Sequence, residues 1–239
     1  MIKGRINSIQ SLGALDGPGI RFVVFMQGCN LRCGCCHNPE TWSIDGGDEY
    51  APSEIFEKAK RFRPYYGSKG GITVSGGEPL LQADFVFELF EMCRKEGINT
   101  CLDTSGSVIN DDVFKVLSVT DRVMLDIKYD NDQDYLKYVG CSIEKPMSFL
   151  KLIDTMKIPT TLRNVVIPTL NDNEKSISFL NSLTEKFKCV DKIELLPFKK
   201  ICKVKYDDMN IEFRFDHISE PSRELMQSLN SKIILRLNL

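Results

Sequence analysis

Three cysteines in the stretch GCNLRCGCCHNPETW have the type and spacing of metal ligands. Cys29, Cys33 and Cys36 follow the spacing C-x3-C-x2-C, and thiolates placed so closely can hold a metal ion or an iron–sulfur cluster. Three ligands are one fewer than a structural zinc site or a cubane cluster takes. The spacing therefore predicts a metal centre with one open, reactive position.

Three interpretations of this loop are open. A structural zinc site would need a fourth ligand, and the candidate His37 directly follows Cys36, although neighbouring residues rarely face one metal. Inert packed thiols are a second interpretation, but four cysteines within eight residues are hard to explain by packing. An iron–sulfur cluster with one open iron is the interpretation that the spacing favours.

The composition is that of an ordinary globular protein and limits the partners. The chain has 239 residues, of which 27% are charged, and its net charge of -2 leaves no basic surface for nucleic acid. The first residues contain no apolar stretch like the core of a signal peptide, and no apolar run approaches the roughly 18 residues of a membrane span. We therefore expect a cytoplasmic protein with no membrane or nucleic-acid partner. The odd total of nine cysteines also argues against a disulfide framework.

Short apolar runs alternate with amphipathic stretches along the chain. Strands are predicted at 20–27, 71–77, 99–106, 121–129, 160–168 and 191–199, with one more at 232–237. Helices are predicted at 53–63, 85–97, 111–117, 130–138, 147–157, 173–187 and 222–230. The alternation predicts an α/β fold with parallel strands, and six units are too few to close an eightfold barrel. An open twisted sheet is the alternative to our prediction, a partial (β/α)6 barrel with outer helices in a single domain over 1–239.

Polar residues gather where the predicted strands end, which is the edge at which parallel α/β proteins carry their function. The cysteine loop follows the first strand. The later strands also end in glycine, polar or charged residues: Gly76-Gly77-Glu78, Asp103-Thr104, Asp126-Ile127-Lys128, Arg163 and Lys199. Their convergence indicates that these segments share one site.

The cysteine spacing, followed by a Gly-Gly-Glu-Pro turn, resembles the radical S-adenosylmethionine superfamily. The motifs DGPGIRFVVFMQGCNLRC, SGGEPLLQ, CLDTSG, VMLDIK and KIELLPF resemble, in this order and over nearly the whole chain, the activases of glycyl-radical enzymes, above all of pyruvate formate-lyase. The resemblance implies a [4Fe–4S] cluster whose open iron binds S-adenosylmethionine. One electron then yields a 5′-deoxyadenosyl radical, which takes a hydrogen atom from a backbone glycine of the partner lyase. A flavodoxin or ferredoxin as electron donor and a monomeric state are also implied.

The resemblance assigns roles to residues of this chain. The cluster ligands are the three cysteines of the spacing, and Gly76 and Gly77 let the backbone approach the methionyl amino group. Further cofactor contacts are implied for Cys35, His37, Asp126, Ile127, Lys128, Arg163 and Lys199. A monovalent cation beside the methionyl carboxylate is implied at Asp103, Thr104, Met124 and Asp126. Asp16 in the DGPG turn is implied to contact the substrate glycine loop, and no side chain is catalytic beyond the cofactors.

Plainer structural interpretations stand beside these roles. Asp-Gly-Pro-Gly is a strong turn former, the glycine pair can serve a strand-to-helix turn, and the two strand-end aspartates can be caps or ion-pair partners. Lys128 and Arg163 can face solvent or pair with acids, and His37 can simply be packed.

Two positions depart from the family pattern. Cys35 stands where the family usually has an aromatic residue against the adenine, and Lys199 stands where close relatives commonly have a histidine. Both departures concern the adenine pocket and leave the reaction type intact.

Two rival functions are weaker. A small-molecule substrate, for example in a ring contraction of the queuosine pathway, is disfavoured by the DGPG and VMLDIK segments. An electron carrier without a substrate is disfavoured by the glycine and carboxylate motifs. The segment between Cys36 and Gly76 is short and carries no added cysteines, so the resemblance is to the compact, single-cluster activase type without an inserted ferredoxin-like domain.

Overall fold

The structure, a computed structural model, describes residues 2–234, and its contacts group the chain into two compact units. Unit 1 comprises the chain up to Asn30 together with Glu40–Met124. Unit 2 comprises Leu31–Pro39 together with the chain from Leu125 onwards. The cysteine loop is therefore divided, with its first cysteine in unit 1 and the others in unit 2. The single domain expected over 1–239 stays a prediction.

Unit 1 is built on parallel strands that carry an antiparallel extension. Strands β1 to β5 lie side by side in the order β3-β1-β2-β4-β5, and β1 is antiparallel to both of its neighbours whereas β2, β4 and β5 are parallel. The strand bounds are Gly4–Gly13, Arg21–Met26, Asp48–Tyr50, Gly71–Gly76 and Asn99–Thr104. The helices α1 to α4 span Pro52–Lys60, Arg63–Tyr66, Ala83–Lys95 and Asp111–Ser118.

A buried arginine joins the amino ends of the parallel strands of unit 1. The Arg21 side chain is fully buried, and its guanidinium donates to Thr73 Oγ1 at 2.9 Å and to Asn99 Oδ1 at 2.8 Å. It also donates to the Ile72 carbonyl at 2.5 Å. A buried charge is tolerated when all its donors are satisfied, so these bonds fix the ends of β2, β4 and β5 relative to one another.

Unit 2 continues the strand–helix alternation. Strand β6, Arg122–Asp126, begins in unit 1 and ends in unit 2, and β7 pairs in parallel with β8. The bounds of β7 and β8 are Thr160–Val166 and Val190–Pro197. The helices α5 to α9 span Asp132–Tyr138, Glu144–Thr155, Glu174–Lys186, Lys203–Asp208 and Arg223–Ser231. Side-chain N-caps begin three of them, at Asn131, Asn173 and Ser222.

The six predicted strands and seven predicted helices within the described residues are confirmed in type. Strands β1 and β3 and the short helices α2 and α8 were not predicted. The predicted strand 232–237 is wrong over Lys232–Ile234, because Lys232 and Ile233 donate their N–H groups back to Leu229 and Asn230 and so continue the end of α9. The rest of that segment lies outside the described residues. Within residues 2–234, no helix combines the length and the apolar character that crossing a bilayer would require.

Candidate functional site

In unit 1, the first cysteine lies against the turn that ends strand β4. The Gly77 N–H donates to the Met26 carbonyl at 2.9 Å, and the Glu78 N–H donates to the Gly28 carbonyl at 2.8 Å. On the other side, the Cys29 N–H donates to the Trp42 carbonyl at 3.4 Å. The backbone around Cys29 is therefore held by the glycine turn and by the segment that follows the cysteine loop.

The glycine pair leaves no space for a side chain. Gly76 has φ +112°, a conformation that favours glycine, and a Cβ atom there would lie 2.2 Å from the Met26 nitrogen. A Cβ atom on Gly77 would lie 2.1 Å from the Gly28 carbonyl oxygen and 3.3 Å from the Cβ atom of Cys29. The close approach of the protein's own backbone is thus enough to require both glycines. Their expected contact with the methionyl amino group stays a prediction.

Glu78, a residue to which the sequence assigned no role, organises the end of β5. Its side chain is fully buried and accepts from Thr104 Oγ1 at 2.7 Å, from the Ser105 N–H at 3.0 Å and from the Ser105 hydroxyl at 2.5 Å. Burial raises the pKa of Glu78, and the hydrogen bonds oppose that rise. The Ser105 hydroxyl lies 3.0 Å from Ser107 Oγ, which donates to Asn30 Oδ1 at 3.1 Å. The carboxylate therefore connects the β5 end to the residue after the first cysteine.

Three of the four residues of the expected cation site, Asp103, Thr104 and Met124, lie in unit 1 and have other contacts there. The Asp103 carboxylate accepts from Ser75 Oγ at 2.8 Å, Thr104 donates to Glu78, and Met124 is buried. Among residues 2–234, no group of three or more His, Cys, Asp or Glu side chains is arranged around a single ion. The four-residue cation site stays a prediction.

The turn that contains Asp16 lies on the same face of β4 as Ser75, the hydrogen-bond partner of Asp103. The Asp16 carbonyl accepts from Thr73 Oγ1 at 2.7 Å. Thr73 and Ser75 are two residues apart on β4, and side chains two apart in a strand share a face and lie about 6.6 Å apart. Asp16 therefore lies about one residue layer from the Ser75–Asp103 hydrogen bond. Its contact with a substrate loop is not tested by this placement.

In unit 2, the second and third cysteines lie in a tight turn tied to helix α5. The Cys36 N–H donates to the Cys33 carbonyl at 3.1 Å. Between them, the Gly34 N–H donates to the Tyr138 carbonyl at 2.9 Å, and just before them the Arg32 N–H donates to the Val139 carbonyl at 3.0 Å. The end of α5 thus sets the path of the loop.

Aromatic side chains support the loop from the other side. A Cβ atom on Gly34 would lie 2.4 Å from the Phe215 ring, so only glycine fits there without displacement. The Tyr206 hydroxyl donates to the Cys36 carbonyl at 3.0 Å. The Phe215 ring packs edge-on against Tyr138 at 5.5 Å between centroids. No local sequence pattern points to these supports, because they lie more than 100 residues away along the chain.

The thiols of the loop differ from the other cysteines in exposure. All nine cysteines belong to the described residues, and the four in the loop are half-buried whereas the five outside it are buried. Burial raises the pKa of the Cys35 thiol to about 12, against a lowering effect of the Lys128 ammonium. Thiolates of residues that are not fully buried are the kind of donor that an iron–sulfur cluster takes. Cys29, Cys33 and Cys36 as its ligands stay a prediction, since among the described residues no group of three or more His, Cys, Asp or Glu side chains is placed to hold a metal ion.

The segment Asp126–Lys128 is held by an ion pair and by buried amides. Lys128 Nζ lies 2.8 Å from Asp126 Oδ2. Burial raises the pKa of Asp126, but the positive charges of Lys128 and Arg163 and the hydrogen bond from Lys128 together hold that pKa below its usual value. Asn164 donates to the Ile127 carbonyl at 2.7 Å, and Asn171 donates to the Lys128 carbonyl at 3.0 Å. Neither asparagine was among the predicted site residues.

The remaining predicted residues also lie in unit 2. The Ile127 N–H donates to the Arg163 carbonyl at 2.8 Å, and Arg163 Nε lies 3.8 Å from Glu194. His37 Nε2 lies 3.1 Å from the Lys199 carbonyl oxygen, and burial lowers the pKa of His37. The Lys199 ammonium, in contrast, is paired with Glu220 at 2.7 Å. Lys199 thus meets the cysteine loop through its backbone.

Comparison with known proteins identifies relatives over almost the full chain. Residues 23–180 match the family model of the radical SAM superfamily. The pyruvate formate-lyase-activating enzyme of Clostridium pasteurianum is 40% identical over 230 residues, which cover 96% of each chain. The pyruvate formate-lyase 1-activating enzyme of Escherichia coli K12 is 41% identical over 94% of this chain and 92% of its own.

Solved structures agree in fold. A domain of a pyruvate-formate lyase-activating enzyme from Bacteroides vulgatus aligns with a TM-score of 0.57 at 22% identity, over 69% of this chain and 92% of that one. This likeness, together with the parallel strand pairs, confirms the predicted α/β fold class, a partial (β/α)6 barrel.

Proposed function

The chain belongs to the radical SAM superfamily and, within it, to the pyruvate formate-lyase-activating enzymes, and from that premise we propose how its residues serve the activation. Its activity is the formation of a glycyl radical on pyruvate formate-lyase, with a [4Fe–4S] cluster and S-adenosylmethionine as cofactors. When bound, the cluster supplies one electron and S-adenosylmethionine supplies the radical that removes a hydrogen atom from a backbone glycine. The observation that carries the function is 40% identity over 96% of both chains.

The three cysteines of the C-x3-C-x2-C spacing hold the cluster in this proposal. Support comes from the half-exposure of Cys29, Cys33 and Cys36 and from the backbone bonds that fix the loop. A loop held in advance loses little conformational entropy when it binds its cluster. Cys35 is the non-ligating thiol in this proposal and contacts the adenosine.

The strand-end residues bind S-adenosylmethionine in this proposal. The Asp126–Lys128 ion pair offers one oriented ammonium and one oriented carboxylate, and Asn164 and Asn171 keep the backbone between them in place. The ion pair also reduces the need for a separate cation beside Asp126. The full set of proposed contacts is Cys35, His37, Gly76, Gly77, Asp126, Ile127, Lys128, Arg163 and Lys199, with a monovalent cation at Asp103, Thr104, Met124 and Asp126.

His37 and Lys199 act as a pair in this proposal. The ring of His37 is fixed by the Lys199 carbonyl, and the Lys199 ammonium is engaged with Glu220. Lys199 therefore contributes through its backbone, by orienting the histidine ring beside the adenosine pocket. This removes the need for a side chain at position 199 that itself contacts adenine.

The partners follow from the reaction. The substrate is a glycine-bearing loop of pyruvate formate-lyase, with Asp16 among the residues that contact it. A flavodoxin or ferredoxin supplies the electron, and the enzyme works as a monomer in the cytoplasm.

A spectroscopic experiment tests the function. The cluster is reconstituted anaerobically, and reductant, S-adenosylmethionine and pyruvate formate-lyase are added. We expect a glycyl radical signal in electron paramagnetic resonance, absent when the radical-bearing glycine of the lyase is replaced by alanine. Cleavage of S-adenosylmethionine without a radical on the lyase would show that the substrate is another molecule.

A further inference from the structure

An exposed basic surface in unit 2 surrounds the ring of Tyr138. Arg32, Lys137 and Arg214 are exposed, and Leu136 beside them is 58% exposed. Lys137 Nζ lies 4.7 Å from the Tyr138 ring centroid, and the Arg214 guanidinium carbon lies 5.8 Å from it. We call these five residues the Tyr138 patch. They combine positive charge with an apolar centre at one place on the surface.

Direct bonds connect the Tyr138 patch to the cysteine loop. The Tyr138 carbonyl accepts the N–H of Gly34, the residue directly after Cys33, at 2.9 Å. The Arg32 N–H donates to the Val139 carbonyl at 3.0 Å, so that this cation is part of the loop itself. The patch is therefore the surface of the same backbone that carries two of the proposed cluster ligands.

Packing also fixes the patch in shape. The Arg214 guanidinium donates to the Lys137 carbonyl at 2.9 Å. Phe215, the next residue, packs against Tyr138 at 5.5 Å and closes the space beside Gly34. Cations held in place by such contacts lose little side-chain entropy when a partner binds.

We propose that the Tyr138 patch is the docking surface for the electron donor, and that the donor is a small acidic one-electron carrier protein. This inference rests on the proposed function, because the cluster must receive one electron for each activation. The donor is oxidised by one electron and the cluster is reduced by one electron, and no proton has to move. A surface that borders the cluster loop is the natural entry point for that electron.

The chemistry of the patch favours an acidic partner. Three neighbouring cations attract a carboxylate-rich surface and raise the rate of encounter, an effect that added salt weakens. The ring of Tyr138, which is only half-buried, supplies apolar contact of the limited extent that redox encounters use. On α5, the Asp132 carboxylate accepts from the Ile143 N–H and the Asp134 carboxylate accepts from the Asn131 amide. Beside Arg214, Asp216 pairs with Lys200, and Glu212 is exposed.

The test compares two reductants on the holoenzyme. Reduced flavodoxin, an acidic carrier, needs to dock, whereas dithionite is a small ion that does not. The variant Lys137→Glu/Arg214→Glu should slow cluster reduction by flavodoxin by about tenfold or more at low salt. Its reduction by dithionite should keep the wild-type rate, and added salt should slow flavodoxin only with the wild-type enzyme.

Two further variants complete the test. Lys151→Glu/Lys188→Glu changes the net charge equally at exposed positions elsewhere in unit 2 and should reduce at the wild-type rate with flavodoxin. Lys137→Gln/Arg214→Gln removes the charge without reversing it and should slow flavodoxin by a smaller factor, with dithionite unaffected. This milder pair decides the question if the reversal variant loses its cluster.

The proposal is overturned if both patch variants accept electrons from flavodoxin at the wild-type rate, or if the control pair is slowed as much as they are. Failure of the proposed function would look different. In that case the wild-type enzyme, reduced by dithionite, would form no glycyl radical on the lyase, whatever the state of the patch.

Discussion

The replacement Gly77→Ala should displace the first cluster cysteine and destabilise unit 1. The added Cβ atom would lie 2.1 Å from the Gly28 carbonyl oxygen and 3.3 Å from the Cβ atom of Cys29. Backbone cannot rotate away as a side-chain tip can, so the Gly28–Cys29 segment must move by about 1 Å to restore ordinary contact. That movement breaks the hydrogen bond from the Glu78 N–H to the Gly28 carbonyl.

The size of the effect follows from these two losses. Overpacking against backbone costs about 1–3 kcal/mol and a lost hydrogen bond about 1 kcal/mol, so the free energy of unfolding should fall by about 2–4 kcal/mol. For a chain of this length, the thermal midpoint should fall by about 5–15 °C. Iron bound after reconstitution should fall as well, because Cys29 no longer faces its site.

The assay is thermal unfolding by circular dichroism, with iron content measured in parallel. Gly67→Ala is the matched control, because a Cβ atom at Gly67 meets nothing within 4 Å. It should cost only the strain of its backbone conformation, φ 55° and ψ −146°, about 1–3 kcal/mol, and bind iron as wild type does. A Gly77→Ala protein with unchanged stability and full iron content would refute the argument that backbone approach requires this glycine.

Three further predictions concern individual side chains. Cys35→Ala should keep the cluster and much of the activity, whereas alanine at any of the three proposed ligand cysteines should abolish both; iron analysis and visible absorption decide, and cluster loss in the Cys35 variant would mean that the ligands are misassigned. Lys128→Met should lower the free energy of unfolding by about 2 kcal/mol, because it leaves the Asp126 carboxylate without its partner; urea denaturation should show most of that loss restored in Lys128→Met/Asp126→Asn, and an additive loss would count against the pairing. Glu78→Gln should cost about 1–3 kcal/mol, because its amide group would replace an oxygen that accepts from Ser105; equal urea midpoints for variant and wild type would contradict this.

Much of the fold could be predicted from local sequence patterns. Strand β2, RFVVFM, is buried along almost its whole length, and a continuous apolar run of β-branched and aromatic residues is typical of a strand covered on both faces. The strand-end positions of Gly76, Asp103 and Asp126 follow directly from such runs. The prediction that glycine and polar residues gather at the strand ends therefore needed no knowledge of long-range contacts.

The missed elements lack a clear periodic signal. Strand β1 shifts register twice, between Ile6 and Ser8 and between Gln10 and Gly13, so its apolar residues do not alternate with period two. Helix α8 has six residues, of which only Tyr206 is buried. Such short or irregular segments are fixed by tertiary contacts, and these cannot be derived from a local pattern.

The side chains that hold the backbone of the site could not be predicted for a related reason. Asn171 holds the carbonyl of Lys128 from 43 positions along the chain, and Tyr206 holds that of Cys36 from 170 positions away. A buried amide or phenol has no local signature that distinguishes it from an exposed one. Its partner becomes visible only once the chain is folded.

The measurement that tests the central claim most directly is transfer of hydrogen from the partner's glycine. Pyruvate formate-lyase is prepared with deuterium on the α-carbon of its glycines, activated anaerobically with the reconstituted enzyme, and the 5′-deoxyadenosine is analysed by mass spectrometry. The account predicts deuterium in the 5′-deoxyadenosine in proportion to the glycyl radical formed. Radical formation with only protium in the 5′-deoxyadenosine would contradict direct abstraction from the glycine.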